Sequence, residues 1–293
     1  MKLGTVFCAA GMLFAGGVLL LGQTEPAAIP HPRGQFGAGI TGAFEGWFTS
    51  DTDKDFRGFL VGYFNRNTQE DLDVPIGPNN RIEPGGPDMG QPTHFLPGRK
   101  YGMFVVPIPK DFKPTDKYTW TIVANGQVNA IPLKMHPDYV ISPFSEIAVG
   151  NTPPTIRFEE TGKPIQGPIA MLAHAATRTT SVSKPLELTL WITDDMKFTN
   201  GTSAPLTGNR APVTLVWSKY RGTGTVKFDK ANPKAEGTAN ENDGFNGKAT
   251  TTVTFGQPGD YVLQVSVNDY SGDGGGGFQC CWTTGLVKVS VTP

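Results

Sequence analysis

The 293-residue chain carries 25 Lys and Arg against 26 Asp and Glu, a formal net charge of −1. That balance excludes nucleic acid as the main partner, because phosphate backbones are held by a surplus of cations. Gly (37) and Pro (25) fill about a fifth of the chain, which excludes a helical bundle, while 18 Phe, 7 Tyr and 5 Trp are too many large apolar groups for wholesale disorder. A turn-rich β protein remains.

Residues 1–23 have the layout of a secretory signal: Met1-Lys2, an uncharged apolar run from Leu3 to Leu21, then the polar Gln23-Thr24-Glu25. The run is also just long enough to span a bilayer, so an uncleaved N-terminal anchor is the alternative, and contact with a membrane is expected through this segment alone. Either way the chain is exported, to the periplasm or the cell surface. Loss of the signal removes Cys8 and leaves only the adjacent Cys280 and Cys281. Two free thiols, an intermolecular bridge and a vicinal disulfide are all open. Cα atoms across a trans peptide lie about 3.8 Å apart, closer than the usual disulfide span of about 4.4–6.8 Å, so a bridge would be strained. An oxidising compartment nonetheless favours it.

Residues 24–43 are rich in Pro, Gly and small side chains and read as a linker. Gly37-Ala-Gly39-Ile-Thr-Gly42 spells a dinucleotide fingerprint, but it follows no strand and precedes a strand-like run, so that reading fails. A first domain is expected over 44–149. Its strand candidates are Phe44–Ser50, Phe59–Phe64, Tyr101–Val106, Tyr118–Ala124 and Val128–Leu133. Asn125-Gly126 between the last two is the strongest short hairpin signal, since both central residues must accept positive φ. The segment 65–100 interrupts the pattern with eleven Pro and Gly residues and no periodicity. Loops of that length are usually functional or disordered, and the Pro content lowers the cost of ordering, so an ordered excursion over one face is expected.

Gly150-Asn-Thr-Pro-Pro154 marks a domain junction, and a second domain is expected over 150–293. Leu186, Leu188, Leu190 and Ile192 alternate with polar residues, as do Ala249, Thr251, Val253 and Phe255. Val213–Trp217, Gly224–Phe228, Tyr261–Asn268 and Leu286–Val291 complete a set of short strands that means a sandwich. The succession of a Trp-bearing strand (Val213–Trp217), the Gly turn Gly222-Thr-Gly224, the Thr-rich strand Ala249–Phe255 and Pro258-Gly-Asp-Tyr261 leading into the next strand resembles PKD-type, immunoglobulin-like extracellular domains. The extra loops near 194–212 and 230–247, the Gly272–Gly277 run and the Cys pair depart from that family. The resemblance implies a seven-stranded sandwich used for adhesion, spacing or protein contact. The first half resembles secreted bacterial proteins without assigned activity. The expected fold class is therefore all-β: two antiparallel β-sandwich domains, the second PKD/Ig-like.

Candidate sites follow from side-chain chemistry. Asp51, Asp53 and Asp55 alternate like a Ca²⁺ loop, but Phe56 and Gly62 stand where an EF-hand needs Gly and Glu, so only a simpler hairpin-tip Ca²⁺ site competes with a solvated turn. Asn268, Asp269 and Asp273 bracket a turn at a strand end, where hard oxygen ligands for Ca²⁺ gather; Asx-turn bonding is the metal-free reading. Phe278, Cys280, Cys281 and Trp282 lie beside four glycines and read either as a disulfide packed on the sandwich end or as a contact surface for a partner or a sugar face. On the long loop, Asn79, Asn80, Glu83, Asp88 and His94 are candidate contact residues, and the carboxylates there (with Asp71 and Asp73) are the place where paired acids for glycoside hydrolysis would have to lie. His31, His94, His136 and His174 are scattered without metal-ligand spacing, and Gly-x-Ser-x-Gly is absent. No catalytic residue and no cofactor is assigned, and Ca²⁺ is the one ion weighed against the metal-free turns. The reading that results is an exported, non-catalytic binding, adhesion or spacer module of the bacterial cell envelope with a protein or polysaccharide partner. A carbohydrate-active enzyme or accessory carbohydrate-binding protein, and a self-assembling filament subunit, are the alternatives.

Overall fold

Alternating apolar side chains fold into strands because period-two patterning buries one face of a pleated sheet. The computed structural model describes residues 33–50, 54–146, 150–197, 211–240, 243–269 and 280–293, all within the unit Pro32–Pro293. The described residues form strands, with single 3-10 turns at Pro137–Tyr139 and Leu172–His174. The chain is all-β, as its composition requires.

In the N-terminal half, β1 (Ile40–Thr49), β2 (Arg57–Asn65) and β6 (Gly98–Pro107) make one antiparallel sheet in the order β1-β2-β6. A second antiparallel sheet, β4-β7-β8, is built from β4 (Asn80–Glu83), β7 (Tyr118–Ala124) and β8 (Gln127–Leu133). Phe59, Val61, Tyr63 and Phe104 of the first sheet meet Ile82, Trp120, Ile122 and Leu133 of the second in one core, with Phe104 edge-on to Trp120 at 5.1 Å. The β7–β8 hairpin turns on Asn125 (φ 48°) and Gly126 (φ 72°), the positive pair that the dipeptide foretold.

The expected linker is shorter than the composition suggests. β1 starts at Ile40, and the preceding residues are held too: Gly37 N donates to Glu70 Oε2 (2.8 Å) and Ala38 N to Asn67 Oδ1 (2.7 Å). The long segment after β2 is ordered, as expected. It contains β3 (Leu72–Asp73), β4 and β5 (His94–Phe95), with β3 paired to β5. Buried asparagines hold it down. Asn65 Nδ2 donates to the carbonyls of Glu70 and Phe95, and Asn67 Nδ2 to that of Ala38. Asn80 Nδ2 donates to Val74 O (2.9 Å) and Pro92 O (2.7 Å), while its Oδ1 accepts from Trp120 Nε1 (3.0 Å). Side-chain amides here do what a sheet ladder would otherwise do for buried backbone groups.

In the C-terminal half, β9 (Thr155–Arg157), β10 (Ile165–Gln166), β12 (Leu186–Asp194), β14 (Val226–Phe228), β15 (Glu236–Asn240) and β16 (Gly244–Phe255) make a sheet in the order β10-β9-β12-β16-β14, with β15 also on β16. Facing it are β11 (Ala176–Ser181), β18 (Trp282–Thr292), β17 (Gly259–Asn268) and β13 (Thr214–Arg221), in the order β11-β18-β17-β13, with β11 parallel to β18. Leu188, Leu190 and Ile192 face Leu263, Val265 and Val267 across the core. The order β9-β12-β16-β14 against β18-β17-β13 is that of an immunoglobulin-like sandwich. Two further features of that fold are present. Trp217 is buried on the third strand of the series, and Tyr261, at the start of β17, donates its hydroxyl to Gln257 O (2.8 Å) upstream. No cysteine links the two sheets.

The sheet β11-β18-β17-β13 is covered on both faces. Its inner face is the sandwich core. On its outer face Tyr220, Val262 and Leu286 join the N-terminal core, and Trp282 packs with Phe48, Leu60 and Val105 of the β1-β2-β6 sheet. Gly102 (φ 49°) clears the way for that indole, since a Cβ there would lie 2.5 Å from Trp282 Cζ2. Polar contacts add to the joint. Gln264 Nε2 donates to Met103 O (2.8 Å), Val105 N to Ala170 O (3.2 Å) and Thr93 N to Tyr220 O (3.1 Å).

Candidate functional site

Four chain segments converge at one end of the C-terminal sandwich. Alternation along β12 continues the inward row Leu188, Leu190, Ile192 into Asp194, and the inward row Leu263, Val265, Val267 of β17 leads to Asp269. Two carboxylates therefore sit on top of an apolar core. The junction supplies Asn151, which is 1% exposed and whose Nδ2 donates to Asp269 Oδ2 (2.7 Å). Asn151 O accepts from Glu146 N (2.8 Å) and lies 3.5 Å from Cys281 Sγ, and Asp269 N donates to Cys281 O (3.3 Å). Thr152 donates its N–H (3.1 Å) and hydroxyl (2.8 Å) to Asp195 Oδ2. Asp194 Oδ2 accepts from Met196 N (2.9 Å).

Two oxygens in this cluster are buried without a hydrogen-bond partner, Asp194 Oδ1 and Asn151 Oδ1. Asp194 is 8% exposed. Burial, reinforced by the negative charges of Asp269 and Asp195 and opposed by the Met196 N–H, pushes its carboxyl up to about 7. Among the described residues no three His, Cys, Asp or Glu side chains form a metal-holding group, so any ion here would draw on amide and carbonyl oxygens as well.

Cys280 and Cys281 are joined in a vicinal disulfide, and the peptide between them is cis with Cα atoms 3.0 Å apart. The trans spacing assumed from sequence does not apply. Cys280, Cys281 and Trp282 are all buried, Trp282 against the other half of the molecule. They cannot present the contact surface considered from sequence; the packing alternative describes them. Phe278 and Asp273 lie outside the described residues, as do Asp51 and Asp53. Asp55 pairs with Lys110 at 3.0 Å on an exposed surface. Asn268 ends β17 on the face opposite Val267, and its Oδ1 is buried without a partner.

The long-loop candidates are mostly tied into the fold. Asn80 is fully buried and serves as a staple, not a contact residue. Glu83 pairs with Arg81 (2.8 Å). Asp88 takes both guanidinium nitrogens of Arg221 (2.8 and 2.9 Å), and this partner holds its carboxyl below the usual range. His94, 7% exposed, sets Nδ1 2.8 Å from Asp73 Oδ1 and Nε2 3.3 Å from Asp71 Oδ2. Burial, helped by Lys219 and opposed by Asp73 and Asp71, lowers its pKa. Lys219 also reaches Asp73 at 3.2 Å. These groups fasten the loop to β13. Asn79 contributes its carbonyl to Val123 N (2.8 Å).

Sequence reasoning missed a cleft of about 1050 Å³ on the open side of the C-terminal sandwich. Phe144, Phe158, Ile165 and Ile169 are among its apolar lining, and the outer edges of β10 and β11 flank it. Among the described residues Glu159 is the single carboxylate in the wall, and Arg178 holds it at 2.6 Å. Arg157 and Lys163, also in the wall, have no carboxylate partner among the described residues. The sequence signal was faint, two very short strands and a positive surplus over 157–178.

No protein-family model matches the chain, and no curated protein matches it. Solved structures with some likeness include domains 4 and 5 of the S-layer protein SbsC (11% identity, 65% of this chain and 71% of that one, TM-score 0.23). The D00-D0 domain of intimin (13% identity, 87% and 100%, TM-score 0.25) is another. A third is the PapD-like domain 7 of human CEP192 (13% identity, 54% and 97%, TM-score 0.27). At such scores nothing about this chain's function follows from the likeness.

Proposed function

We propose that this protein is an exported, non-catalytic binding and spacing module of the cell envelope, its second half a PKD-type sandwich. The open cleft between β10 and β11 carries this reading. Among the described residues it offers an apolar lining, two strand edges without a partner strand and the charges of Arg157 and Lys163 without a carboxylate partner, but only one carboxylate. Glycoside hydrolysis needs two carboxyl groups flanking a bond, and the long-loop acids that were the sequence candidates are engaged in ion pairs. A rigid scaffold presenting one cleft suits capture of an anionic envelope polymer or an acidic protein segment.

Co-sedimentation with isolated envelope material tests this. The wild-type protein should pellet at low salt, and the double substitution Arg157→Glu with Lys163→Glu should weaken binding at least tenfold while the melting temperature holds. Equal pelleting of both proteins would remove the cleft from the function. The free edges of β10 and β11 also favour a second reading, assembly between copies by strand addition. Sedimentation velocity showing oligomers that persist on dilution would support it.

A further inference from the structure

We propose that the outer face of the sheet β10-β9-β12-β16 binds an acidic polysaccharide, with Trp191 as the platform on which a sugar ring stacks and Arg157 and Lys248 as the cations that flank it. The inference rests on the binding reading above, since Arg157 also lines the cleft, and it names the class of polymer bound. Register builds the site. Trp191 on β12 lies opposite Arg157 on β9 and opposite Lys248 on β16. Cross-strand partners share a face of the sheet, with Cβ atoms about 5 Å apart. The adjacent residues Ile156, Ile192 and Ala249 are buried in the sandwich core, so alternation turns this row outward.

Trp191 is unlike the other tryptophans. Trp120, Trp217 and Trp282 are at most 2% exposed, and Trp47 donates Nε1 to His136 O (2.8 Å) while packing on the N-terminal core. Trp191 is half-buried and belongs to none of the apolar clusters of the described residues. The cation–ring stacks of the described residues fall on Phe64, Tyr101 and Tyr139, so neither Arg157 nor Lys248 caps the indole. The outward residues around it are polar. Thr155 and Asn246 flank Thr193, and Thr250 sits opposite Thr189 with the hydroxyls 2.9 Å apart. Glu187 and Glu236 are the carboxylates of this face among the described residues, and neither is next to the indole in register.

This chemistry selects the ligand. A protein interface centres on a cluster of apolar and aromatic anchors, and here one indole stands alone among hydroxyls and charges. A pyranose ring offers its C–H face to the negative face of the indole and its hydroxyls to the surrounding threonines. Carboxylates on the sugar are drawn to the two flanking cations.

Isothermal titration of the purified protein at low ionic strength, with polygalacturonate, neutral dextran and poly-glutamate as probes, provides the test. The wild type should bind polygalacturonate, and the other two at least tenfold more weakly. Trp191→Ala should weaken polygalacturonate binding at least tenfold, as loss of an aromatic anchor does. Trp191→Tyr should restore most of it, which separates loss of stacking from loss of fold. Lys248→Glu alters an exposed residue and should weaken binding while the melting temperature holds. Lys163→Glu alters the cleft wall alone and should leave polygalacturonate affinity nearly unchanged. A wild-type Kd for polygalacturonate weaker than about 1 mM would overturn the proposal. So would equal affinity for poly-glutamate, or wild-type affinity in a folded Trp191→Ala protein. Envelope pelleting that still depends on Lys163 would in each case leave the cleft reading standing.

Discussion

Replacing Trp282 by Ala tests whether the two halves are one mechanical body. The indole is 1% exposed and packs on Phe48, Leu60 and Val105. A Trp side chain buries about 200 Å², and at about 25 cal/mol per Å² that is roughly 5 kcal/mol of transfer free energy. Large-to-small substitutions of buried aromatics cost about 3–5 kcal/mol, so both routes give a loss near 4 kcal/mol. With a urea m-value of about 3 kcal/mol/M, the upper end for small proteins, the midpoint should fall by about 1.3 M. Gly102 supplies a second arm. Gly102→Ala forces a Cβ to within 2.5 Å of the indole and should cost more than about 2 kcal/mol, of which about 1 kcal/mol is the left-handed backbone penalty. In the Trp282→Ala background the steric part disappears, leaving a coupling of about 1–2 kcal/mol in the double-mutant cycle. Urea unfolding followed by far-ultraviolet circular dichroism measures all four proteins. A Trp282→Ala loss below about 1 kcal/mol, or strict additivity with Gly102→Ala, would refute the packing argument.

Asn80→Ala should destabilise by about 3 kcal/mol, since it strands the Trp120 indole N–H and two buried carbonyls at about 1 kcal/mol or more each; calorimetry measures the loss, and Asn80→Asp should not restore stability because a carboxylate cannot donate. Tyr261→Phe should cost about 1 kcal/mol by removing the bond to Gln257 O, and a melting temperature within error of wild type would contradict that. His94 has a folded pKa below its ordinary value, so the unfolded chain binds the proton first and stability is lost as pH falls from about 6.5 through the folded value. Asp71, Asp73 and Lys219 are the charged groups that face it. Compared with the wild type, His94→Gln should therefore lose less stability between pH 7.5 and pH 5 (a window set by the ordinary His value). Taking the difference between the two proteins cancels the opposite trend of Asp194, and parallel urea midpoints across that range would refute the assignment.

The strands were legible where one face is buried and the other is wet. Leu188, Leu190 and Ile192 announce β12, and Asn125-Gly126 announces its hairpin, because both signals are local. The stacking of the halves was written more faintly. Tyr261-Val262-Leu263 and Phe59-Leu60-Val61 are unbroken apolar runs, the pattern of strands covered on both sides, and Val262 and Leu60 are the residues that meet the opposite half. The asparagine staples were not legible. Asn65 and Asn80 look like ordinary loop residues until the backbone groups they satisfy are brought to them. The same holds for Asp88 and Arg221, 133 positions apart, and for Asp194, whose partnerless oxygen has no trace in a sequence. The Cys-Cys-Trp string left packing and exposure both open, because adjacent glycines suggest exposure, and the fold decides for packing: the cysteines are buried and Trp282, opening β18, lies between two sheets.

The parallel pairing of β11 with β18 sets how this sheet would respond to a lengthwise pull. Six consecutive residues, Ala176 to Ser181, lie in register with Val287 to Thr292. A pull that draws these strands lengthwise past each other strains their bridging bonds simultaneously. A pull on an antiparallel hairpin such as β7–β8 peels its bonds away in succession. A pull applied through β18 against β11 would therefore be shared by all the bridging bonds at once, whereas the same pull on the hairpin would load them one by one.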